Sequence, residues 1–180
     1  MAEPITVAVR RGKTVESRHR VHAVAVQDGT VVVEAGEGGL VTFMRSSAKP
    51  IQALPLTRAL PELAEEELAI ACASHLAGPE QLAAVRSLLA RAPAGEDELW
   101  LDEWAPASEE ELECGPEPTA IQHNCSGKHA GMLALCRAHG WDSRGYRLPD
   151  HPCQRAMLAE VARAADLDEA DLNTAVDGCG

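Results

Sequence analysis

The chain has 180 residues, of which 46% are hydrophobic, so it is long enough to bury the core of one domain without disulfides. Its formal net charge is −12, from 28 acidic and 16 basic residues, which disfavours binding to nucleic acids or to anionic membranes. No apolar run approaches the roughly 20 residues of a membrane span and the N-terminus lacks the pattern of a signal peptide, so we expect a cytoplasmic protein.

The first 45 residues are predicted to form antiparallel strands. The segments 5–9 and 22–34 are rich in valine, which alternates loosely with polar residues. Asp28 and Gly29 interrupt the second segment, and both residue types tolerate the positive φ angles of a type I′ turn. A β-hairpin centred on this pair is therefore predicted.

The rest of the chain has a helical pattern. Helices are predicted at 62–73, 79–92, 128–139 and 151–166. Gly140 follows the third of these, where glycine adopts the left-handed conformation of a helix C-cap at little cost. The acidic, proline-rich segment 94–120 is predicted to be a surface loop with a short strand at 99–101. Strands followed by helices indicate an α/β fold of the mixed, α+β type.

The first candidate for chemistry is the stretch RSSAK (45–49), in which Ser46 and Lys49 form an S-x-x-K pair. Residues three apart share one face of a helix, so Lys49 could accept the proton of Ser46 when the serine acts as a nucleophile. Serine β-lactamases and penicillin-binding proteins use this arrangement. The same spacing also arises by chance, with a capping serine and a solvated lysine, and Pro50 and Pro55 restrict any helix here.

The stretch HNCSGKHAG (123–131) combines six polar or reactive side chains with two glycines. It stands directly before an apolar helical segment, and a helix N-terminus offers free N–H donors to a carboxylate ligand or an oxyanion. It is not a Walker A motif, because the upstream glycine spacing and the following Ser or Thr are missing. We interpret it as a functional loop.

Two further stretches have an ordinary structural explanation when each is taken alone. Ser74 and His75 follow a run of small residues and are interpreted as a C-terminal helix turn, since adjacent side chains point apart. Asp177 and Cys179 flank Gly178 and are interpreted as a turn.

Taken together and in order, these stretches resemble the asparaginase II family, the Rhizobium-type L-asparaginases. The matching stretches are RSSAKPIQALPL (45–56), EELAIACASH (66–75), HNCSGKHAGMLAL (123–135), HPCQRAML (151–158) and DGCG (177–180). The resemblance implies a fold like that of serine β-lactamases and glutaminases, and hydrolysis of L-asparagine to aspartate and ammonia. The chain departs from the family's usual residues at Leu76, Ala77, Gly78 and Gln81.

The resemblance also assigns the site, residue by residue. The catalytic residues that it implies are Ser46, Lys49 and Ser74. The residues that it places along the substrate site are Arg45 and Asp177. The implied ligands of a zinc ion are Cys125, Lys128 and Cys179, with water in the fourth position.

In the family, the lysine that partners Ser74 lies beyond the DGCG motif. We therefore expect residues 1–180 to be a single domain that is truncated at its C-terminus, inactive or weakly active alone, with exposed apolar faces on helices 62–73 and 128–139. A homo-oligomer, a dimer, is also expected. Two alternatives remain open: a non-catalytic remnant that binds zinc or an amino acid, and a β-lactamase-like hydrolase acting on another amide.

Overall fold

The computed structural model describes residues 2–101 and 119–175, and the chain divides into two compact units, Met1–Met44 and Arg45–Gly180. Asp177 and Cys179, with most of the predicted loop at 94–120, lie outside the described ranges. No helix within those ranges is long and apolar enough to cross a membrane.

The first unit consists of two antiparallel hairpins. Its strands are β1 (Ile5–Arg11), β2 (Thr14–Val21), β3 (Ala23–Gln27) and β4 (Thr30–Ala35). β1 pairs with β2 and β3 pairs with β4, with Gln27 opposite Thr30 at the end of the second hairpin. Asp28 and Gly29 have φ angles of 50° and 75°, as a type I′ turn requires. The predicted hairpin is confirmed.

The second unit is helical. Its α-helices are α1 (Lys49–Gln52), α2 (Leu54–Ala59), α3 (Glu65–Cys72), α4 (Pro79–Arg91), α5 (Ser126–His139) and α6 (Pro152–Ala165). Short 3₁₀ turns lie at Arg45–Ala48, Glu96–Glu98, Ala120–Gln122 and Glu169–Asp171. The four longer helices match the predicted segments, and Gly140 caps α5 with a φ of 68°. The prediction of a mixed fold, antiparallel strands followed by helices, is confirmed.

The short strand predicted at 99–101 is wrong. The Leu101 N–H donates to the Leu99 carbonyl oxygen at 2.8 Å, which closes a three-residue turn. The Trp100 N–H donates to the Tyr146 hydroxyl at 2.9 Å. These backbone donors are therefore taken up by a local turn and by a side chain, and no described strand pairs with this segment.

The core of the second unit is centred on α5, which packs against α2, α3 and α4. Ten of its residues are buried, among them Met132, Leu133 and Leu135. On α3, Ile70 and Ala71 are buried as well. The expectation of exposed apolar faces on these two helices is wrong, because the helices cover each other. Large apolar side chains are instead exposed on the strands, where Val33 is 64% exposed.

Glu67 holds α3 against α4. Its carboxylate accepts hydrogen bonds from Arg91 Nε at 2.8 Å, from the Ser87 hydroxyl at 2.7 Å and from the Ala64 N–H at 2.9 Å. Burial alone raises the pKa of Glu67, but the hydrogen bond from Arg91, with those from Ala64 and Ser87, outweighs it and holds the pKa below that of an ordinary glutamate. The carboxylate therefore stays charged and bonded inside the unit.

Glu160 links α6 to α2. It lies between the guanidinium groups of Arg58 and Arg163, with Oε2 at 3.0 Å from Arg58 Nη2 and 3.2 Å from Arg163 Nε. The hydrogen bonds from Arg58 and then Arg163 lower the pKa of Glu160 to about 2. Because the two arginine side chains are 55% and 62% exposed, solvent screens part of this attraction.

We expect Glu160→Gln to lower the free energy of unfolding at pH 7 by about 1 kcal/mol, since a neutral amide replaces a carboxylate held by two guanidinium groups. A carboxyl group with a depressed folded pKa stabilises fully above its unfolded pKa of 4.5 and loses that contribution as the pH falls toward 2. The difference between the two proteins should therefore vanish over this range in urea titrations. A difference that is independent of pH would contradict this assignment, and Glu80→Gln on the exposed side of α4 is the control.

Candidate active site

Lys49 lies at the start of α1 and is buried, with 3% of its surface exposed. Its Nζ atom donates to the Ala73 carbonyl oxygen at 2.6 Å and to the Ser74 hydroxyl at 2.9 Å. The Cys125 thiol sulfur lies 3.4 Å from the same atom. One amine thus joins α1, the residues that follow α3, and the residue that precedes α5.

The two serines of the predicted site lie side by side. Ser74 Oγ and Ser46 Oγ are 3.2 Å apart, and both residues are exposed. The S-x-x-K spacing suggested that Lys49 bonds to Ser46 directly. Among the described residues, however, the amine reaches Ser46 through the Ser74 hydroxyl. The cause is that Lys49 extends into the interior while Ser46, one 3₁₀ turn earlier, stays at the surface.

Ser74 lies on an extended segment. α3 ends at Cys72, and Ala73 has φ −98° and ψ 162°, so the chain leaves the helix axis before Ser74. The helix turn suggested by the small residues therefore ends earlier than expected. The extended backbone presents the Ala73 carbonyl and the Ser74 hydroxyl to the same amine, Lys49 Nζ.

The next residues form an irregular loop, at the positions where the chain departs from the family's usual sequence. Ala77 has a φ of 65°, a conformation that a residue with a Cβ adopts at a cost. Gln81 Oε1 accepts hydrogen bonds from the Leu76 N–H at 3.1 Å and from the Gly78 N–H at 3.0 Å. The glutamine side chain thus provides an acceptor for two backbone N–H groups of the loop.

The segment that precedes α5 is held by local hydrogen bonds. The Cys125 N–H donates to His123 Nδ1 at 3.0 Å, and the Ser126 N–H donates to the His123 carbonyl at 2.9 Å. At Gly127, an added Cβ would lie 2.3 Å from the Ile70 carbonyl oxygen. This glycine therefore allows α5 to approach the last turn of α3, which brings Cys125 within reach of Lys49.

His75 is buried beside these residues, with 2% of its surface exposed. Its Nε2 lies 2.8 Å from the Ser126 hydroxyl and its Nδ1 lies 3.1 Å from the Ala77 nitrogen. Burial lowers the pKa of His75 to about 4, and the charges of Lys49 and His123 act in the same direction. The imidazole is therefore neutral at physiological pH.

The remaining predicted residues are placed only in part. Arg45 is exposed and begins the 3₁₀ turn with a φ of 53°. Lys128 lines a small pocket together with Lys49, Gln52 and Met157. Within the described ranges, no group of three or more His, Cys, Asp and Glu side chains is arranged to hold a metal ion. Asp177 and Cys179 lie outside those ranges.

Sequence reasoning missed the contact between His75 and Ser126. Ser74 and His75 stand out in the sequence only as adjacent residues, and a sequence carries no signal that pairs position 75 with position 126. The local clue was that both residues lie in stretches rich in polar side chains, at a helix end and a helix start.

Comparisons with known proteins return a family match over nearly the whole chain. A family model described as L-asparaginase II matches residues 7–180. No curated protein matches the chain. The match covers all of the stretches on which the resemblance was based.

Gly127→Ala should lower the free energy of unfolding by about 2–3 kcal/mol, because its Cβ would overlap a backbone carbonyl that cannot turn aside. Gly39→Ala is the control, since nothing lies within 4 Å of an added Cβ there. Its effect should stay within about 0.5 kcal/mol. Equal stability of Gly127→Ala and the unsubstituted protein in denaturant titrations would contradict the close approach of α5 to α3.

Proposed function

The chain belongs to the L-asparaginase II family, and from this premise we propose that it hydrolyses the side-chain amide of L-asparagine to L-aspartate and ammonia. The observation that carries the proposal is the unbroken series of contacts from the exposed Ser46 hydroxyl through Ser74 to the buried Lys49 amine. An exposed nucleophile backed by a buried base is what acyl transfer requires.

In the proposed reaction, Ser46 Oγ attacks the amide carbon. The Ser46 proton passes to Ser74 Oγ, and the Ser74 proton passes to Lys49 Nζ in its neutral form. In the structure Lys49 donates to Ser74 and Ser74 donates to Ser46. Because hydroxyl groups can rotate and donate in either direction, the same contacts support proton transfer from Ser46 to Lys49. Lys49 is therefore the base for Ser46 through one intermediate hydroxyl.

The same residues return the proton to the leaving group. Lys49 gives its added proton back through Ser74 to the amide nitrogen. The carbon–nitrogen bond then breaks, ammonia is released, and the acyl group remains on Ser46 as an ester. Water then attacks the ester carbonyl, and its proton travels by the same route to Lys49. Aspartate is released when the Ser46 oxygen is protonated again.

The substrate carries charges that the predicted residues can match. Arg45 is exposed one residue from Ser46, and its guanidinium is suited to bind the α-carboxylate of asparagine. Asp177 would bind the α-ammonium group by charge. Recognition of both groups would hold the side-chain amide toward Ser46 and would select an amino acid over a simple amide.

A zinc ion is part of the proposal, and Cys125, Lys128 and Cys179 would hold it. Cys125 and Lys128 lie one helical turn apart at the start of α5, and thiolate and neutral amine are donors that zinc accepts. The described residues thus fit two of its three protein ligands. When bound, zinc would act as a Lewis acid toward a substrate oxygen. Elemental analysis tests this part: zinc should be present, and Cys125→Ala should remove it.

Ser46→Ala and Lys49→Met should each lower kcat for ammonia release from L-asparagine by a factor of about 10² to 10⁴, because each removes a group that takes part in the transition state. Ser74→Ala interrupts the proton route and should cost about 10²-fold. Ser47→Ala is the matched control from the same 3₁₀ turn and should leave kcat unchanged, because Ser47 is not part of the proposed proton route from Ser46 through Ser74 to Lys49.

A coupled ammonia assay measures these rates, on the 180-residue chain and on the longest protein that contains it. Full activity in Lys49→Met would contradict the proposed base. A protein that binds zinc or asparagine but releases no ammonia would instead favour the non-catalytic alternative.

A further inference from the structure

We propose that His75 is a positioning residue, which fixes the Ser74 hydroxyl against Lys49 by joining the Ser74 segment to the first turn of α5. The inference rests on the proposed function, because the reaction depends on the placement of Ser74. The observation behind it is that His75 bonds to the α5 segment at two points, while the residues directly before it bond to Lys49.

The hydrogen bonds of the imidazole fix its tautomer. Nδ1 accepts from the Ala77 N–H at 3.1 Å, so Nδ1 carries no proton and Nε2 carries one. Nε2 therefore donates to Ser126 Oγ at 2.8 Å. The Ser126 hydroxyl uses its own hydrogen to donate to the Ile121 carbonyl at 2.7 Å. Each donor in this series has one acceptor, and both ring nitrogens are satisfied.

The backbone of the same residue makes the second connection. The His75 N–H donates to the Asn124 carbonyl oxygen at 3.1 Å. On the N-terminal side, the Ala73 carbonyl and the Ser74 hydroxyl bond to Lys49 Nζ. Residues 73–75 are therefore held from two directions, by Lys49 on one side and by the α5 segment on the other.

This arrangement gives His75 a role that is separate from proton transfer. In the described structure its ring forms no hydrogen bond with the Ser46 or Ser74 hydroxyls. The ring instead determines where the extended segment lies. If it is lost, Ser74 can move relative to Lys49, and a displacement of about 1 Å in a catalytic group can cost about 10²-fold in rate.

Two substitutions distinguish the contributions of the two ring nitrogens. In His75→Gln the amide nitrogen can reach the position of Nε2 and donate to Ser126. In His75→Asn the amide oxygen can reach the position of Nδ1 and accept from Ala77, but the donor to Ser126 is lost. We expect His75→Gln to keep kcat for L-asparagine within about tenfold, and His75→Asn to lower kcat by about 10²-fold with KM changed less than about threefold.

Ser126→Ala provides an independent way to break the same contact. It should reproduce the loss of kcat seen in His75→Asn, and the double variant should lose little more, because residues that act through one contact are not additive. If the His75→Asn and Ser126→Ala losses multiply in the double variant, the two side chains act separately and the proposal is overturned.

A nitrogen NMR measurement tests the geometry without using activity. The protein with ¹⁵N-labelled histidine should show His75 as the neutral Nε2–H tautomer at pH 7. An Nδ1–H tautomer would overturn the proposal, as would a His75→Asn variant that melts at a lower temperature yet keeps full kcat. If the longest protein that contains this chain shows the Nε2–H tautomer but releases no ammonia from L-asparagine, the proposed function is refuted, and the positioning role falls with it.

Discussion

Burying the side chain of Lys49 is the constraint on which the rest of the site depends. A buried amine must have hydrogen-bond partners, because an unpaired polar group in the interior costs several kcal/mol, on the order of the whole stability margin of a small domain. The partners of Nζ come from Ala73, Ser74 and Cys125, which are 24, 25 and 76 residues away in the chain. The fold of the helical unit and the geometry of the site therefore use the same contacts.

The site places its amine in the interior, away from water, and its hydroxyl groups at the surface, where a substrate can reach them. The Lys49 side chain is buried, whereas Ser46 and Ser74 are exposed. Ser74 connects the two environments through one hydroxyl. Gly127 and His75 stabilise this arrangement, although neither belongs to the proposed proton route. The first lets α5 come close to α3, and the second ties the Ser74 segment to α5.

Features set by local backbone chemistry could be predicted from the sequence. Asp28 and Gly29 form the expected turn and Gly140 the expected C-cap. Each of these positions requires a positive φ, and the residue type alone indicates where the chain can adopt it. The contacts within the site could not be predicted in this way. The approach of Lys49 to Cys125 depends on how α1 and α5 pack. Residues 99–101 do not form a strand, because the Trp100 N–H bonds to the Tyr146 hydroxyl and the Leu101 N–H bonds to the Leu99 carbonyl. Only the family resemblance indicated Ser74.

The most direct test of the account is to identify the serine that becomes acylated. An analogue of L-asparagine with a diazoketone in place of the side-chain amide reacts covalently with the nucleophile, and peptide mass spectrometry locates the adduct. The account predicts an adduct on Ser46 whose formation slows by at least about 10²-fold in Lys49→Met, since the nucleophile then lacks its base. An adduct on Ser74 or Cys125, or labelling of Ser46 at an unchanged rate in Lys49→Met, would contradict it.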